Sequence, residues 1–271
     1  MRNRDLTTDH AAKVSNAIRD AVRPRTWRRT VMVRALAVAS VLFVVGDYAF
    51  PADETTNPRV TAAGTEFGAI EGAIAYRNDP NHKWRLARYY LKSPKTGELA
   101  EAVVALNGQT LKRFASPRKP TVTSIDQKEM RFVPETVAIG AGDRVRFTNS
   151  DPQTHNISLG DPRLRFSDTI APGQEAVETF AKASGIRHPF ALGCTFHSQM
   201  QGWIYVFDHP FFEVTKSDGR FRLEHVPPGD YRLEVAHAAG ELQASRAIHV
   251  EPKTTVKIDF ILTPADRSPA E

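Results

Sequence analysis

Short runs of alternating hydrophobic and polar residues fill most of the chain after about residue 67. This alternation is typical of strands with one buried face, and the runs are separated by turn residues, as at 140–143 and 171–173. So many short strands within residues 121–207 favour a β-sandwich rather than an α/β fold. We predict these central strands at 121–125, 136–139, 144–148, 155–159, 166–170, 175–180, 189–192 and 202–207.

Strands of the same kind are predicted on both sides of this central region. Residues 68–76 alternate like a strand, and residues 99–106 form a second strand that ends at Asn107-Gly108. The C-terminal part continues in the same way after a turn at 217–219. Its strands are predicted at 211–215, 220–223, 226–235, 246–250 and 255–262.

The first 50 residues have a different pattern. An apolar run at 35–46 follows two adjacent arginines, as in a signal peptide, and it is shorter than the span of about twenty residues that crosses a bilayer. Residues 1–50 are therefore predicted as a helical signal peptide or an uncleaved N-terminal membrane anchor, with Met32 as an alternative start. In either case the basic flank stays inside, and the rest of the chain is expected outside the cytoplasm.

The positive net charge of +5 belongs to the N-terminus. Residues 1–34 hold nine Lys and Arg and three Asp, a local charge of +6, so the remaining residues sum to −1. Nucleic-acid binding needs a basic face on a folded domain, so we expect no nucleic-acid partner. Cys194 is the only cysteine, which excludes an intrachain disulfide and leaves a thiol that needs an explanation in an exported protein.

One short loop carries three kinds of metal-binding side chain. Cys194, His197 and Met200 have the spacing C-x2-H-x2-M. Thiolate and thioether select copper, and a blue-copper site for electron transfer uses two imidazoles, one thiolate and a weak axial Met. The second imidazole must come from elsewhere, and His155, thirty-nine residues upstream at the end of a strand-like run, offers it.

Each of these residues also has a simpler explanation when taken alone. A single Cys or Met is most often a core residue, and a His in a β protein is often only hydrogen-bonded. The order, the spacing and the flanking strands together favour the metal site. Met200 is its weakest member because Gln or a backbone oxygen can replace an axial Met, and Gln199 and Gln201 lie beside it.

The motif resembles that of cupredoxins, and its ligand loop is most similar to that of amicyanin. It reads Asn149-x-Asp151-x3-His155-Asn156 and then Cys194-x2-His197-x2-Met200. The resemblance implies one mononuclear blue-copper ion, with the ligands His155, Cys194, His197 and Met200. It also implies that Asn156 fixes the ligand loop, that His197 reaches the surface as the electron port, and that Phe196 lines the rim of that port, unless it is simply buried.

The C-terminal strands resemble a second family. Residues 215–235 read T-x-x-D-G-x-F-x-L-x-x-V-P-P-G-x-Y-x-L-x-V, which is similar to the carboxypeptidase regulatory-like, or prealbumin-like, domain. The strands that begin this domain resemble residues 72–75 and 99–106. The resemblance implies an all-β chain in which a cupredoxin Greek-key β-sandwich is inserted into a prealbumin-like β-sandwich, as in methylamine-utilisation-like proteins. The predicted segments are a signal peptide or anchor at 1–50, a linker at 51–66, the regulatory-like sandwich at 67–115 and 209–264, the cupredoxin at 116–208 and a tail at 265–271.

The function expected from these patterns is one-electron transfer outside the cytoplasm, in the periplasm or at its membrane face, without catalysis. The sequence has no nucleophile elbow, phosphate-binding loop or H-E-x-x-H motif. The neighbours of Cys194 are Gly193 and Thr195, so the adjacent His typical of copper oxidases and nitrite reductases is missing. The expected partner is a cytochrome c or a periplasmic dehydrogenase or oxidase, with possible membrane association through the N-terminal segment. Two alternatives stay open: a periplasmic copper-binding or storage protein, and an adhesion or carbohydrate-binding sandwich with a vestigial copper site.

Overall fold

A computed structural model describes residues 66–77, 96–108, 110–115 and 118–267. The predicted signal peptide or anchor, the linker up to residue 65 and the last four residues of the tail lie outside the described residues. Among the residues that the structure describes, no helix is long and apolar enough to cross a membrane.

The described part of the chain is all-β, which confirms that part of the predicted fold class. Three short 3₁₀ helices accompany the strands, at Leu111–Phe114, Ala238–Gly240 and Pro264–Asp266. The strands are β1 (Gly68–Tyr76), β2 (Val103–Asn107), β3 (Val122–Lys128), β4 (Arg131–Val133), β5 (Thr136–Gly140), β6 (Arg144–Asn149), β7 (His155–Asp161), β8 (Leu164–Ile170), β9 (Glu175–Thr179), β10 (Phe190–Gly193), β11 (Gln201–Phe207), β12 (Phe212–Val214), β13 (Arg220–Val226), β14 (Gly229–His237), β15 (Leu242–Val250), β16 (Thr255–Lys257) and β17 (Phe260–Leu262).

Strands β3 to β11 form what we call the central sandwich. One of its sheets has the order β4-β3-β6-β9 and the other β5-β11-β10-β7-β8. The alternation of buried and exposed side chains explains how the two sheets pack. In β6, Val145 and Phe147 point inward, while Arg144 and Arg146 are exposed. The inward residues of both sheets form one hydrophobic cluster, which also contains Cys194 and Met200. Burying each large apolar side chain contributes about 1.5–3 kcal/mol, so Cys194 and Met200, two of the predicted ligands, belong to a well-stabilised core.

Strands from both ends of the described chain form a second unit, the flanking sandwich. Strand β1 pairs with β13 and, in parallel, with β16 and β17. Strand β2 pairs with β12, Val103 opposite Val214, and with β14, Leu106 opposite Leu233. Residues 103–105 and 212–214, which come from the two predicted parts of the regulatory-like sandwich, are therefore paired in one sheet. Side chains from β1, β2, β13, β14 and β15 share one core.

Strand β11 is buried on both faces. Its Ile204 and Val206 belong to the core of the central sandwich. Tyr205 and Phe207 point the other way and pack in a third cluster with Val103 and other residues of β2 and β14. A strand that is covered on both faces reads as a continuous hydrophobic run, which explains the sequence GWIYVF at 202–207. The two sandwiches therefore pack directly against each other through this strand.

Candidate metal centre

The structure brings together the two sequence regions that carry the predicted ligands. Strand β10 ends at Gly193, so Cys194 opens the loop that crosses to β11. His155 is the first residue of β7, which pairs with β10 through Ser158 and Gly193. Because these strands are neighbours in one sheet, the end of β10 and the start of β7 lie at the same edge. Residues far apart in the sequence thus meet at one end of the central sandwich.

Three donor atoms converge at this edge. One donor atom each of His155, Cys194 and His197 lies within 4.8 Å of the others. The two Nδ1 atoms are 3.1 Å apart, and Cys194 Sγ is 3.8 Å from His197 Nδ1. The imidazole rings are nearly perpendicular, at 71°, with centroids 4.9 Å apart. Both histidines therefore present Nδ1 to the same point, which is the arrangement of a shared metal ion.

The loop itself is compact between His197 and Met200. The amide of Met200 donates to the carbonyl of His197 at 3.0 Å, which turns the chain back toward β11. The Met200 side chain is only 1 % exposed and packs in the same core cluster as Cys194. Both residues also line a cavity of about 470 Å³ beside the loop. The Met200 side chain is thus buried in the same cluster, and lines the same cavity, as Cys194.

Exposure differs sharply among the donors. His155 is completely buried and Cys194 nearly so, whereas His197 is partly exposed. Phe196, next to His197, is 56 % exposed, and its ring meets the imidazole edge-on at a centroid distance of 6.5 Å. Of the two alternatives for Phe196, burial is therefore wrong.

Asn156 does contact the ligand loop, but not through its side chain. Its backbone amide lies 3.4 Å from Cys194 Sγ and is placed to donate a hydrogen bond to the sulfur. Its side-chain amide donates instead to Ser167 Oγ and to the carbonyl of Asp168 on β8. The expected tether therefore runs through the main chain, while the side chain joins β7 to β8.

The sequence reasoning missed Asp151 as a site residue. Its Oδ2 lies 2.8 Å from Nε2 of His155, and its two oxygens accept hydrogen bonds from the amides of Glu129 and Met130. Burial raises the pKa of Asp151, but the bonds from Met130, His155 and Glu129 outweigh it and hold that pKa below its ordinary value. The signal was present, since Asp151 stands four residues before His155 in the motif quoted above.

The other histidines that the structure describes stay apart from this cluster. Within the described ranges, the group formed by His155, Cys194 and His197 is the one whose His, Cys, Asp or Glu side chains are placed to share an ion. Burial lowers the pKa of His237 to about 4, and its Nδ1 accepts a hydrogen bond from the amide of Gly240. His209 packs among Phe207, Phe211 and Phe212. The contacts described for His209 and His237 are therefore those of histidines that stabilise the fold.

The donor chemistry of the cluster fits copper. Two imidazole nitrogens and one thiolate, with a thioether beside them, form the set that blue-copper sites use. Zinc is commonly held by four strong Cys or His ligands in structural sites, and this cluster has three. The residues present thus suit a copper ion with one weak ligand.

A family model of known proteins matches the part of the chain that carries the predicted ligands. Residues 100–206 match the family model described as "Cupredoxin-like domain". The match begins upstream of the predicted boundary at 116 and includes β2. None of the curated proteins matches the chain.

Similar solved structures include a nitrite reductase, an amicyanin and a purple cupredoxin. A Cu-containing nitrite reductase from Thermus scotoductus is 21% identical with a TM-score of 0.29, and the match covers 35% of this chain and 24% of that one. Amicyanin from Paracoccus versutus is 19% identical with a TM-score of 0.28, covering 38% and 96%. A purple cupredoxin from Nitrosopumilus maritimus is 21% identical with a TM-score of 0.26, covering 31% and 97%. The stretch that the family model matches includes His155, Cys194, His197 and Met200.

Proposed function

We propose that this protein is an exported one-electron carrier that binds a single copper ion at His155, Cys194, His197 and Met200. The observation that carries the proposal is the convergence of His155 Nδ1, Cys194 Sγ and His197 Nδ1 within 4.8 Å. Bound copper would supply reversible one-electron chemistry between copper(II) and copper(I). We propose a carrier and not an enzyme because the neighbours of Cys194 are Gly193 and Thr195, without the adjacent His typical of copper oxidases and nitrite reductases.

The surroundings of the donors support electron transfer over loose binding. His155 begins a strand, and Cys194 directly follows one, so their backbones are fixed by the sheet. The amide of Asn156 directed at Cys194 Sγ is one of the groups that tune a copper–thiolate site. A site held in this way changes little in shape when its charge changes, which favours fast electron transfer.

His197 provides the route to a partner. It is the one converging donor residue that is partly exposed, and the exposed ring of Phe196 stands beside it. An apolar rim of this kind suits brief docking, because it excludes water without forming strong charge pairs. We infer a redox protein as the partner, such as a cytochrome c or an extracytoplasmic dehydrogenase or oxidase.

The flanking sandwich is proposed to be a regulatory-like domain into which residues 116–208 are inserted. What supports this is the pairing of β1 with β13 and of β2 with β12 and β14 across the central sandwich. If these strands form one domain, the amides of β2 and β14 should exchange with solvent at the same free energy of opening. Clearly different opening free energies for the two strands would contradict a single domain.

The spectrum of the copper-loaded full chain tests the electron-carrier proposal. An intense visible band and an electron paramagnetic resonance spectrum of a copper(II) thiolate, both bleached reversibly by a reductant, are expected. A colourless protein that retains copper would instead indicate storage or delivery. Retention of glycans without copper binding would indicate the adhesion alternative. Copper titration monitored by absorbance also gives the stoichiometry, expected to be one ion per chain.

A further inference from the structure

The carboxylate of Asp151 is the meeting point of two parts of the central sandwich. It lies between β6 and β7 and is only 8 % exposed. Oδ1 accepts the amide of Glu129 at 2.7 Å, and Oδ2 accepts the amide of Met130 at 2.9 Å. Oδ2 is also 2.8 Å from Nε2 of His155. One side chain therefore serves both a backbone turn and a ring of the metal centre.

The ring contact decides which nitrogen of His155 carries the proton. A carboxylate only accepts hydrogen bonds, so Nε2 must be the donor. In a neutral imidazole the other nitrogen then has a free lone pair. That nitrogen is Nδ1, which faces His197 Nδ1 at 3.1 Å and belongs to the converging donors. The contact thus leaves the ring in the one neutral form that can bind a metal through Nδ1.

The turn contact explains an unusual backbone. Lys128 pairs with Arg131, so Glu129 and Met130 form a two-residue hairpin loop, and both have positive φ, 55° and 60°. Such turns favour Asn-Gly, because side chains with a Cβ are strained at positive φ. Here the bonds to Asp151 hold the two amides of a turn that its own residue types disfavour. The tip of the β3–β4 hairpin is in this way tied to the metal centre.

We propose that Asp151 is a positioning residue, which holds His155 as the Nε2–H tautomer with Nδ1 directed at the metal and links that ring to the β3–β4 turn. The inference rests on the proposed copper site, but the ring geometry can be tested without copper. Partners of this kind typically change metal affinity about 10–100-fold when removed, because they orient the ligand and raise its basicity.

The test separates the ring contact from the turn contact. A parent variant, Glu129→Asn/Met130→Gly, gives the turn residues that adopt positive φ without help. Asp151→Asn is then made in this parent, so any effect on His155 is not an indirect effect of a collapsed turn. The matched control is Asp143→Asn in the same parent. Asp143 is a buried carboxylate that accepts the amides of Thr121 and Gly140 and pairs with Arg118, at a different turn and with no histidine among its hydrogen-bond partners.

The first measurement is nitrogen and proton NMR of the His155 ring in the metal-free protein at mildly alkaline pH. We expect the parent to carry its ring proton on Nε2, protected from solvent exchange, with Nδ1 bare. Asp151→Asn should lose that protection or shift the proton to Nδ1, and Asp143→Asn should do neither. A ring proton on Nδ1 in the parent, or an unchanged Nε2–H signal in Asp151→Asn, would overturn the proposal.

The second measurement is copper(I) affinity by competition with a chromogenic chelator. Asp151→Asn should weaken binding about 10–100-fold relative to its parent, and Asp143→Asn should leave it within about twofold. Equal affinities in all three proteins would also overturn the positioning role. If the NMR result is as expected and no variant binds copper, the proposed function fails while the role of Asp151 as the orienting partner of His155 stands.

Discussion

The two sandwiches of this chain bury similar hydrophobic cores but differ in what their buried polar groups contact. In the flanking sandwich, Thr215 bonds backbone at Leu99 and Ala102, and Glu234 pairs with Arg187 of the adjoining central sandwich. In the central sandwich, Asp151, His155 and Asn156 are all buried at one edge and lie around Cys194 Sγ and one another. Polar groups that brace backbone indicate stability, whereas polar groups that converge on each other indicate a site. The comparison locates function in the central sandwich.

The largest effect should come from removing the thiolate. Cys194→Ala is expected to abolish the visible charge-transfer band of the copper-loaded protein, because the chain has no other thiol. Absorbance after copper addition measures this directly. Ser198→Ala, an exposed change in the same loop, is the control and should keep the band. A band of undiminished intensity in Cys194→Ala would remove the main support for a copper–thiolate site.

Truncating a core residue of the flanking sandwich should lower the unfolding free energy but keep the visible band, which Cys194→Ala removes. Leu233 is fully buried in the flanking core, so Leu233→Ala should cost about 2–5 kcal/mol of unfolding free energy. The visible spectrum of the folded, copper-loaded variant should not change. Urea unfolding and absorbance together check both statements. Loss of the band at full copper occupancy would mean that the two regions are not separable in the way we describe.

The ion pair between the exposed Arg118 and the buried Asp143 should make stability depend on pH in the acid range. Burial raises the pKa of Asp143, but bonds from Arg118 and from the amides of Thr121 and Gly140 outweigh it and lower the pKa from 3.8 to about 2. A depressed pKa in the folded state stabilises above the unfolded value, and this stabilisation is lost as pH falls from about 3.8 through 2.

The effect of removing the Asp143 carboxylate on stability should therefore depend on pH within a defined range. Asp143→Asn should be less stable than the wild type by about 1–2 kcal/mol near neutral pH, and the part of that difference due to ionisation should shrink below about pH 4. Thermal or urea unfolding of both proteins across the acid range measures it. A difference that stays constant down to the lowest pH would show that the ionised form of Asp143 contributes nothing.

The smallest effect expected is at the axial position. Met200→Leu should remain coloured and show a higher reduction potential, since loss of a donor destabilises copper(II) more than copper(I). Met200→Gln should lower the potential by the reverse argument. Potentiometric titration decides, with Gln199→Leu as the control at an exposed neighbour. If neither potential moves, Met200 is core packing and not a ligand.

Regular alternation made several elements predictable from the sequence. The strand predicted at 68–76 is found at Gly68–Tyr76, and that at 202–207 at Gln201–Phe207. Both have clear patterns and turn residues or polar loops at their ends. The three converging donors were also predictable, because their spacing is specific to the chemistry. Local sequence was sufficient wherever the alternation within a strand and the residues that flank it predict the same boundaries.

Other elements depended on partners that no local pattern reveals. The run 255–262 was predicted as one strand but is split into β16 and β17, because both parts pair with β1 and Asp259 accepts the amide of Ala73 between them. Strand β2 begins at Val103, later than predicted, since Glu101 has a positive φ of 58°. The role of Asp151 likewise depends on a hairpin more than twenty residues upstream.

The pairing of β2 with β12 has a consequence for the order of folding. Val103 lies opposite Val214, 111 positions further along the chain. Closing so long a loop in an unfolded chain is entropically costly, and the cost falls once the intervening residues are compact with their ends close together. We therefore expect the central sandwich to form first, and pulse-labelling hydrogen exchange during refolding should find β6 and β7 protected before β2 and β14. Protection of β2 and β14 at the earliest times would reverse that order. In this view the central sandwich, once folded, also brings β2 and β12 close enough together to pair.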